Sequence, residues 1–149
     1  MKLDDTDRIL LRALSEDASR SYAELGRLLN LSAPAVYERV KKLKKNGVIT
    51  EVSARIDGRK VGRPLLAFIL INTRTIAGSR QVAMLRNLPE IEEMHSITGE
   101  NGMLLKVRTA DAQALEELLA KIQAVEGVDK TTSMIALSTL LERGTCPEP

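Results

Sequence analysis

The chain has 149 residues, with 44% apolar and 28% charged, enough for packed cores in one ordinary or two small domains and incompatible with general disorder. Aromatics are limited to Tyr22, Tyr37 and Phe68, with no Trp, so the cores are aliphatic and modules that stack single-stranded bases on aromatic platforms are disfavoured. The net charge of +2 hides an asymmetry: residues 1–64 hold 14 Lys/Arg against 9 Asp/Glu, and residues 65–149 hold 8 against 11, which assigns any polyanion contact to the first part.

The opening stretch "MKLDDTDRIL" lacks the long apolar segment and cleavage site of a signal peptide, so a cytoplasmic protein is expected. A first helix is predicted from Asp4, with Asp7 three residues on placing acid side chains at the positive end of the helix dipole. Leu10, Leu11 and Leu14 supply its apolar side, and it ends before the polar "SEDASRS". "SYAE" at Ser21–Glu24 is a capping box that opens a second helix, whose expected buried stripe is Leu25, Leu28 and Leu29. Gly26 sits mid-helix at a cost of about 1 kcal/mol relative to Ala, which fits either a close helix–helix approach or a random weak spot.

Asn30-Leu31 makes a very short connection to a third helix. Ser32 is its N-cap, Pro34 is tolerated in a first turn whose amides are unpaired, and Asn46-Gly47 ends it. Val36, Val40 and Leu43 recur at i, i+4 and i+7, the spacing of a buried stripe. Two short helices joined by a turn of about three residues form the helix-turn-helix unit, whose second helix enters the DNA major groove. Residues 1–50 are therefore expected to be a helix-turn-helix domain that binds double-stranded DNA. Ala33, Pro34, Ala35, Tyr37, Glu38 and Arg39 in the first turns are placed to reach base edges, with Pro34 and Ala35 suited to a thymine methyl and Arg39 to guanine or phosphate, and the N-cap Ser32 completes the expected DNA-binding set. Lys41, Lys42, Lys44 and Lys45 suit phosphates, which position a protein without reading sequence. A basic helix also suits a merely solvated face; the capping box, the short turn and the charge asymmetry tip the reading to DNA.

Residues 51–64 are expected to be wing and linker. "VITEVSARID" alternates enough for a short strand or hairpin, and "GRKVGRP" (58–64) combines two glycines, a proline and three cations in the manner of a linker; its cations Arg59, Lys60 and Arg63 suit either DNA contact or solubility.

From Leu65 the pattern is strand, helix, strand, strand, helix, strand. "LLAFILINT" is a buried strand, and its Leu65–Ile71 core is the longest apolar run, far short of the ~20 residues that span a bilayer, so no membrane partner is expected. "GSRQVAMLRNLP" is a short helix carrying Val82, Leu85 and Leu88. "IEEMHSIT" and "MLLKVRT" are strands joined by the tight "GENG" (99–102). "DAQALEELLAKIQAVEG" is a helix capped by Asp111 with Leu115, Leu118, Leu119 and Ile122 inward, and "VDKTTSMIALSTL" is a final strand. This order is the split βαβ, ferredoxin-like arrangement, giving an α+β chain with a winged helix-turn-helix followed by a βαββαβ domain over residues 65–141 and a tail over 142–149. Ile69, Ile71 and Leu105 are expected on the open face of its sheet, where another subunit would pair.

His95 is the sole histidine and Cys146 the sole cysteine, which removes disulfides, multi-histidine metal sites and Cys/His pairs close in sequence. A small enzyme using His95 and Glu100 as acid and base finds no second histidine, metal cluster or phosphate-binding glycine motif beside it. A non-enzymatic protein without catalytic residues, metal or cofactor is expected.

"LDDTDRILLRAL", "YAELGRLLNLSAPAVYERVKKLKKNGVI", "LPEIEEMHSITGENGMLLKVRT" and "GVDKTTSMIAL" together resemble the Lrp/AsnC, or feast/famine, family of transcription regulators, from about Leu3 to Leu141. The resemblance implies DNA binding by the first domain, and assembly and amino-acid sensing by the second. It also implies homodimers that associate further, commonly into octamers. An effector, often leucine or another amino acid, would bind near the turn joining the middle strands, at Thr98, Gly99, Glu100, Asn101 and Gly102, with Thr131 and Ser133 on the last strand as neighbours. After "TG" the family pattern is acid–aromatic–acid; here it is Glu100-Asn101-Gly102, so the second acid is missing. Either Glu100 substitutes, Asn101 alters selectivity, or the pocket is absent and the protein is an effector-independent architectural DNA binder of the same fold.

Overall fold

The structure, a computed structural model, describes residues 2–73, 80–100, 102–145 and 147. Asn101 and Cys146 lie outside the described residues. The chain divides into two compact units, Met1–Ala54 with Leu141–Pro149, and Arg55–Leu140.

Three helices build the first unit: α1 (Asp5–Glu16), α2 (Tyr22–Leu29) and α3 (Ala33–Lys45). Each begins where a side chain satisfies amides that the helix itself leaves open. Asp4 accepts from the Asp7 amide at 2.7 Å, and Ser21 and Glu24 form the reciprocal capping box of α2. Ser32 accepts from Ala35 at 3.4 Å to open α3. Leu10, Ala13, Leu25, Val36, Val40 and Leu43 close an entirely aliphatic core. Two details depart from the sequence pattern. α1 runs on through Ser15 and Glu16. Leu28 stands 53% exposed, because the eight-residue α2 turns Leu25 and Gly26 inward and carries Leu28 away from that side.

Gly26 is required by a close approach, although to a turn and not along a helix. A Cβ there would stand 2.5 Å from the Leu31 carbonyl oxygen, and the Leu31 amide donates to the Gly26 oxygen at 2.9 Å. Asn30, in the left-handed conformation at φ 54°, reverses the chain between α2 and α3.

The wing is not formed: residues 50–57 contain no strand. A two-stranded ribbon is marginal without a sheet or helix to support it, and alternation alone does not supply that support. The "GRKVGRP" segment is docked and not free. Gly58–Val61 is a 3-10 turn capped by Asp57, the Arg63 guanidinium donates to the Pro89 carbonyl, and a Cβ on Gly58 would lie 2.7 Å from the Arg63 carbonyl oxygen and 2.9 Å from the Arg108 side chain.

The second unit contains β1 (Leu65–Thr73), a helical stretch over 80–82 that tightens to a 3-10 turn at Ala83–Asn87, β2 (Ile91–Ser96), β3 (Met103–Thr109), α4 (Ala112–Gln123) and β4 (Val128–Ile135). The strands lie in the order β2-β3-β1-β4, all antiparallel, which is the ferredoxin-like arrangement. β4 stops at Ile135, short of the predicted Leu140. Among the described residues it pairs only with β1, and the Ala136 amide bonding to Leu66 is the last rung before β1 itself begins.

The register corrects the expected open face. Ala67, Ile69 and Ile71 stand opposite Val107, Leu105 and Met103, and all of them belong to the core beneath Val82, Leu115, Leu118 and Ile122. Ile69, Ile71 and Leu105 are fully buried on the helix side. The other face carries Phe68, Leu70 and Leu104 with Lys106, Glu93 and His95. A strand buried as a continuous apolar run does not announce which alternate set faces the helices.

Candidate functional site

The geometry of α3 follows from its sealed stripe. With Val36, Val40 and Leu43 in the core, Pro34, Glu38, Lys41 and Lys45 fall at i, i+4, i+7 and i+11 along the opposite side, and all four are exposed. Lys42 and Lys44 flank this ridge, also exposed, while Ala33 and Ala35 are half-buried. The ridge offers a groove-sized apolar start, one carboxylate and a cationic end.

Tyr37 is 46% exposed and meets Tyr22 of α2 edge-to-face, with centroids 5.7 Å apart and planes at 72°. Lys41 Nζ lies 5.8 Å from the Tyr37 ring centre and 3.8 Å from Glu38. These contacts gather Tyr22, Tyr37, Glu38 and Lys41 into one surface cluster.

Arg39, expected at guanine or phosphate, is held here by two carboxylates. Its Nη1 donates to Asp7 at 2.7 Å and to Asp4 at 2.8 Å, tying α3 to the start of α1. Asp7 is only 5% exposed, and burying a carboxylate without a partner is costly. Both acids raise the guanidinium's affinity for its proton, Asp4 first. Asp4 is held below its ordinary carboxylate value by the Asp7 amide and then by Arg39. A sequence signal for this pair exists: Asp7 lies three, four and seven residues before Leu10, Leu11 and Leu14, on the apolar stripe itself, and Arg39 borders the Val36–Leu43 stripe.

The second unit brings only part of the expected effector set together. Thr98, Gly99 and Glu100 are exposed, with Gly99 in the left-handed region at φ 110°. Gly102 donates its amide to Ile71 at 3.1 Å and accepts from the Ile97 amide at 3.0 Å. Thr131 stands opposite the same Ile71 on the other side of β1, so the turn and Thr131 share one end of the sheet. Ser133 lies two residues inward, opposite Ile69. A cavity of about 350 Å³ at that end is lined by Gln123, Val128, Asp129, Lys130 and Thr131, and Gln123 Nε2 donates to Thr131 Oγ1 at 3.0 Å. Asn101 lies outside the described residues. His95 is remote from this cavity's lining; its Nε2 contacts Glu93 at 3.1 Å, and Lys106 contacts the same carboxylate at 3.1 Å. His95 and Lys106 hold Glu93 below its ordinary value.

Among the described residues no helix is long and apolar enough to cross a membrane. Residues 3–44 match the AsnC-type helix-turn-helix domain, and residues 66–146 match the Lrp/AsnC ligand binding domain. The HTH-type transcriptional regulator LrpA of Mycobacterium tuberculosis is 40% identical over 138 residues, covering 92% of this chain and 91% of that protein. Among solved structures, a transcriptional regulator from Neisseria meningitidis in complex with L-Met superposes with a TM-score of 0.92 at 26% identity, covering 98% of this chain and 97% of the other. AsnC of E. coli gives 0.90 at 29% identity, over 99% of this chain and all of that one. The helix-turn-helix with its exposed basic ridge, the ferredoxin-like sheet and these likenesses agree: the chain belongs to the Lrp/AsnC family of transcription regulators, with a DNA-binding helix-turn-helix and a ligand-binding domain.

Proposed function

We propose that this regulator reads specific duplex sequences with α3 and that a small amino acid tunes its DNA affinity through the assembly of the second unit. The observation that carries the first part is the ridge of α3: an apolar first turn, Glu38 able to accept from a cytosine amino group, and lysines suited to phosphates, all opposite a sealed core. In this reading Pro34, Ala35, Tyr37 and Glu38 read bases, Ser32 and Ala33 approach the groove wall, and Lys41, Lys42 and Lys45 hold phosphates. Arg39 sets the pose of α3 from behind.

The second part is supported by the L-Met bound to the Neisseria meningitidis relative and by the cavity beside Thr131. Thr98, Gly99, Glu100, Asn101, Gly102, Thr131 and Ser133 remain the proposed effector region, between dimers of a higher oligomer, an octamer. An effector changes the balance of two assemblies only through different affinities for them, and the assemblies differ in how recognition helices match major grooves about 34 Å apart.

The test is a binding titration on a duplex enriched from a random pool, with and without each amino acid, alongside thermal-shift measurements. Tighter or weaker binding with one amino acid, and a raised melting temperature with the same one, supports the reading. Gly102, standing where the family pattern has an acid, favours a second reading: an effector-independent architectural protein whose DNA binding no amino acid changes.

A further inference from the structure

The chain has three aromatic residues, and two of them sit together on the surface of the DNA-binding unit. Nothing in the core explains this. The core of that unit is closed by Leu10, Ala13, Leu25, Val36, Val40 and Leu43, whereas Tyr22 is 37% and Tyr37 46% exposed. Tyr37 flanks the ridge of α3 on the side that meets α2. Tyr22 belongs to α2, outside the recognition helix, and extends the ridge sideways by one ring. The row Tyr22–Tyr37–Lys41 alternates aromatic, aromatic and cation at 5.7 and 5.8 Å, and a T-shaped pair fixes both rings at little entropic cost on binding.

We infer that Tyr22 is a DNA-contacting residue: its phenol bonds a backbone phosphate at the groove edge while its ring holds Tyr37 edge-on to a base pair, where apolar contact favours thymine. The inference rests on the reading of α3 as the groove helix. A phenol is a sound phosphate donor, and thymine alone presents a methyl in the major groove. The capping box of α2 takes the Ser21 and Glu24 amides, with Glu24 accepting from the Ser21 amide at 2.7 Å. Substitution of Tyr22 leaves every backbone amide in place, so it reads the contribution of the side chain alone.

The chain supplies its own probe. It has two tyrosines and no tryptophan, so Tyr37→Phe leaves Tyr22 as the sole emitter. With the full-length protein, acrylamide quenching of Tyr22 emission in Tyr37→Phe is measured with and without saturating duplex. Binding of Tyr22→Phe and Tyr22→Leu is measured on the enriched and a random duplex across salt. The expected results are protection of Tyr22 by duplex, and weakening of Tyr22→Phe by about two- to tenfold on both duplexes. The salt slope stays unchanged because the phenol is neutral. In Tyr22→Leu the preference for the enriched duplex also falls several-fold. Tyr22→Phe keeps the packed ring, so its loss of affinity with an unchanged melting temperature separates contact from folding. Tyr22 equally quenchable with and without duplex, or Tyr22→Phe and Tyr22→Leu binding as the parent does, overturns the inference alone. A parent protein that binds no duplex at low salt overturns it together with the reading of α3.

Discussion

At the scale of single residues, the pose of α3 depends on a buried carboxylate. Asp7 is almost fully enclosed and has Arg39 as its cation. Removing the guanidinium in Arg39→Gln strands that charge and is expected to lower stability by about 2 kcal/mol, a figure reduced from fully buried pairs because Arg39 is partly exposed. Asp7→Asn should cost less, and the double variant should be less unstable than the sum, the mark of coupled partners in denaturation measurements. Were Arg39 a base reader, Arg39→Gln would still change duplex preference in the Asp7→Asn background; here it is expected not to. Gly26→Ala drives a Cβ into the Leu31 carbonyl and is expected to destabilise by about 1–3 kcal/mol, against the small gain an ordinary helical Gly→Ala brings. The caps add a pH dependence. Glu24 is lowered by the Ser21 hydroxyl first and then its amide, and Asp4 by the Asp7 amide first. Depressed folded-state values mean that this stability is fully present above the ordinary values of 4.5 and 3.8 and is lost as pH falls through the lower folded values. The melting temperature of the parent is therefore expected to drop below about pH 4 more steeply than that of Glu24→Gln.

At the scale of elements, α3 divides into a sealed side, a ridge and a strut. Lys41→Ala with Lys42→Ala should weaken binding to every duplex alike and make the salt slope shallower by about two. Glu38→Gln should alter which duplex is preferred by roughly 1–3 kcal/mol at one base pair. The stripe and the caps of this helix are legible because the 3.6-residue period and the N-cap chemistry are local. Leu28 shows the limit, since it fits the period yet lies beyond the short contact between α2 and its neighbours. The strands divide similarly. β1 is readable to the residue as an apolar run, and its buried face emerges only from the pairing of Ile69 with Leu105 and Ile71 with Met103; β3 alternates, with Lys106 and Arg108 on the side away from Met103, Leu105 and Val107, and so marks its own buried face.

At the scale of the whole molecule, the two units carry equal net charge, because Arg55, Arg59, Lys60 and Arg63 fall in the second, and the cations suited to DNA are concentrated on α3 of the first. The affinity of that unit for DNA should fall steeply with salt, the slope of log affinity against log salt counting neutralised phosphates. The sheet unit is expected to respond to an amino acid. If Thr131 lines the effector cavity, Thr131→Val should abolish the thermal shift produced by the active amino acid while leaving duplex binding without effector within about twofold. This substitution keeps the volume and removes the hydroxyl that Gln123 bonds.

Sequence alone determined the order and type of nearly every element, the N-caps at Asp4, Ser21, Ser32 and Asp111, and the likeness to a family of regulators. These are written in short-range patterns: a capping residue and its amide are three positions apart, and an apolar run needs no knowledge of its partner. Only the tertiary structure decided that Arg39 faces Asp7 across 32 residues, that Tyr22 and Tyr37 meet edge-to-face, that residues 50–57 form no wing, and that Ile69 and Ile71 lie under the helices. Each of these depends on which surfaces meet, and the free energy of meeting belongs to pairs of residues that no local pattern joins.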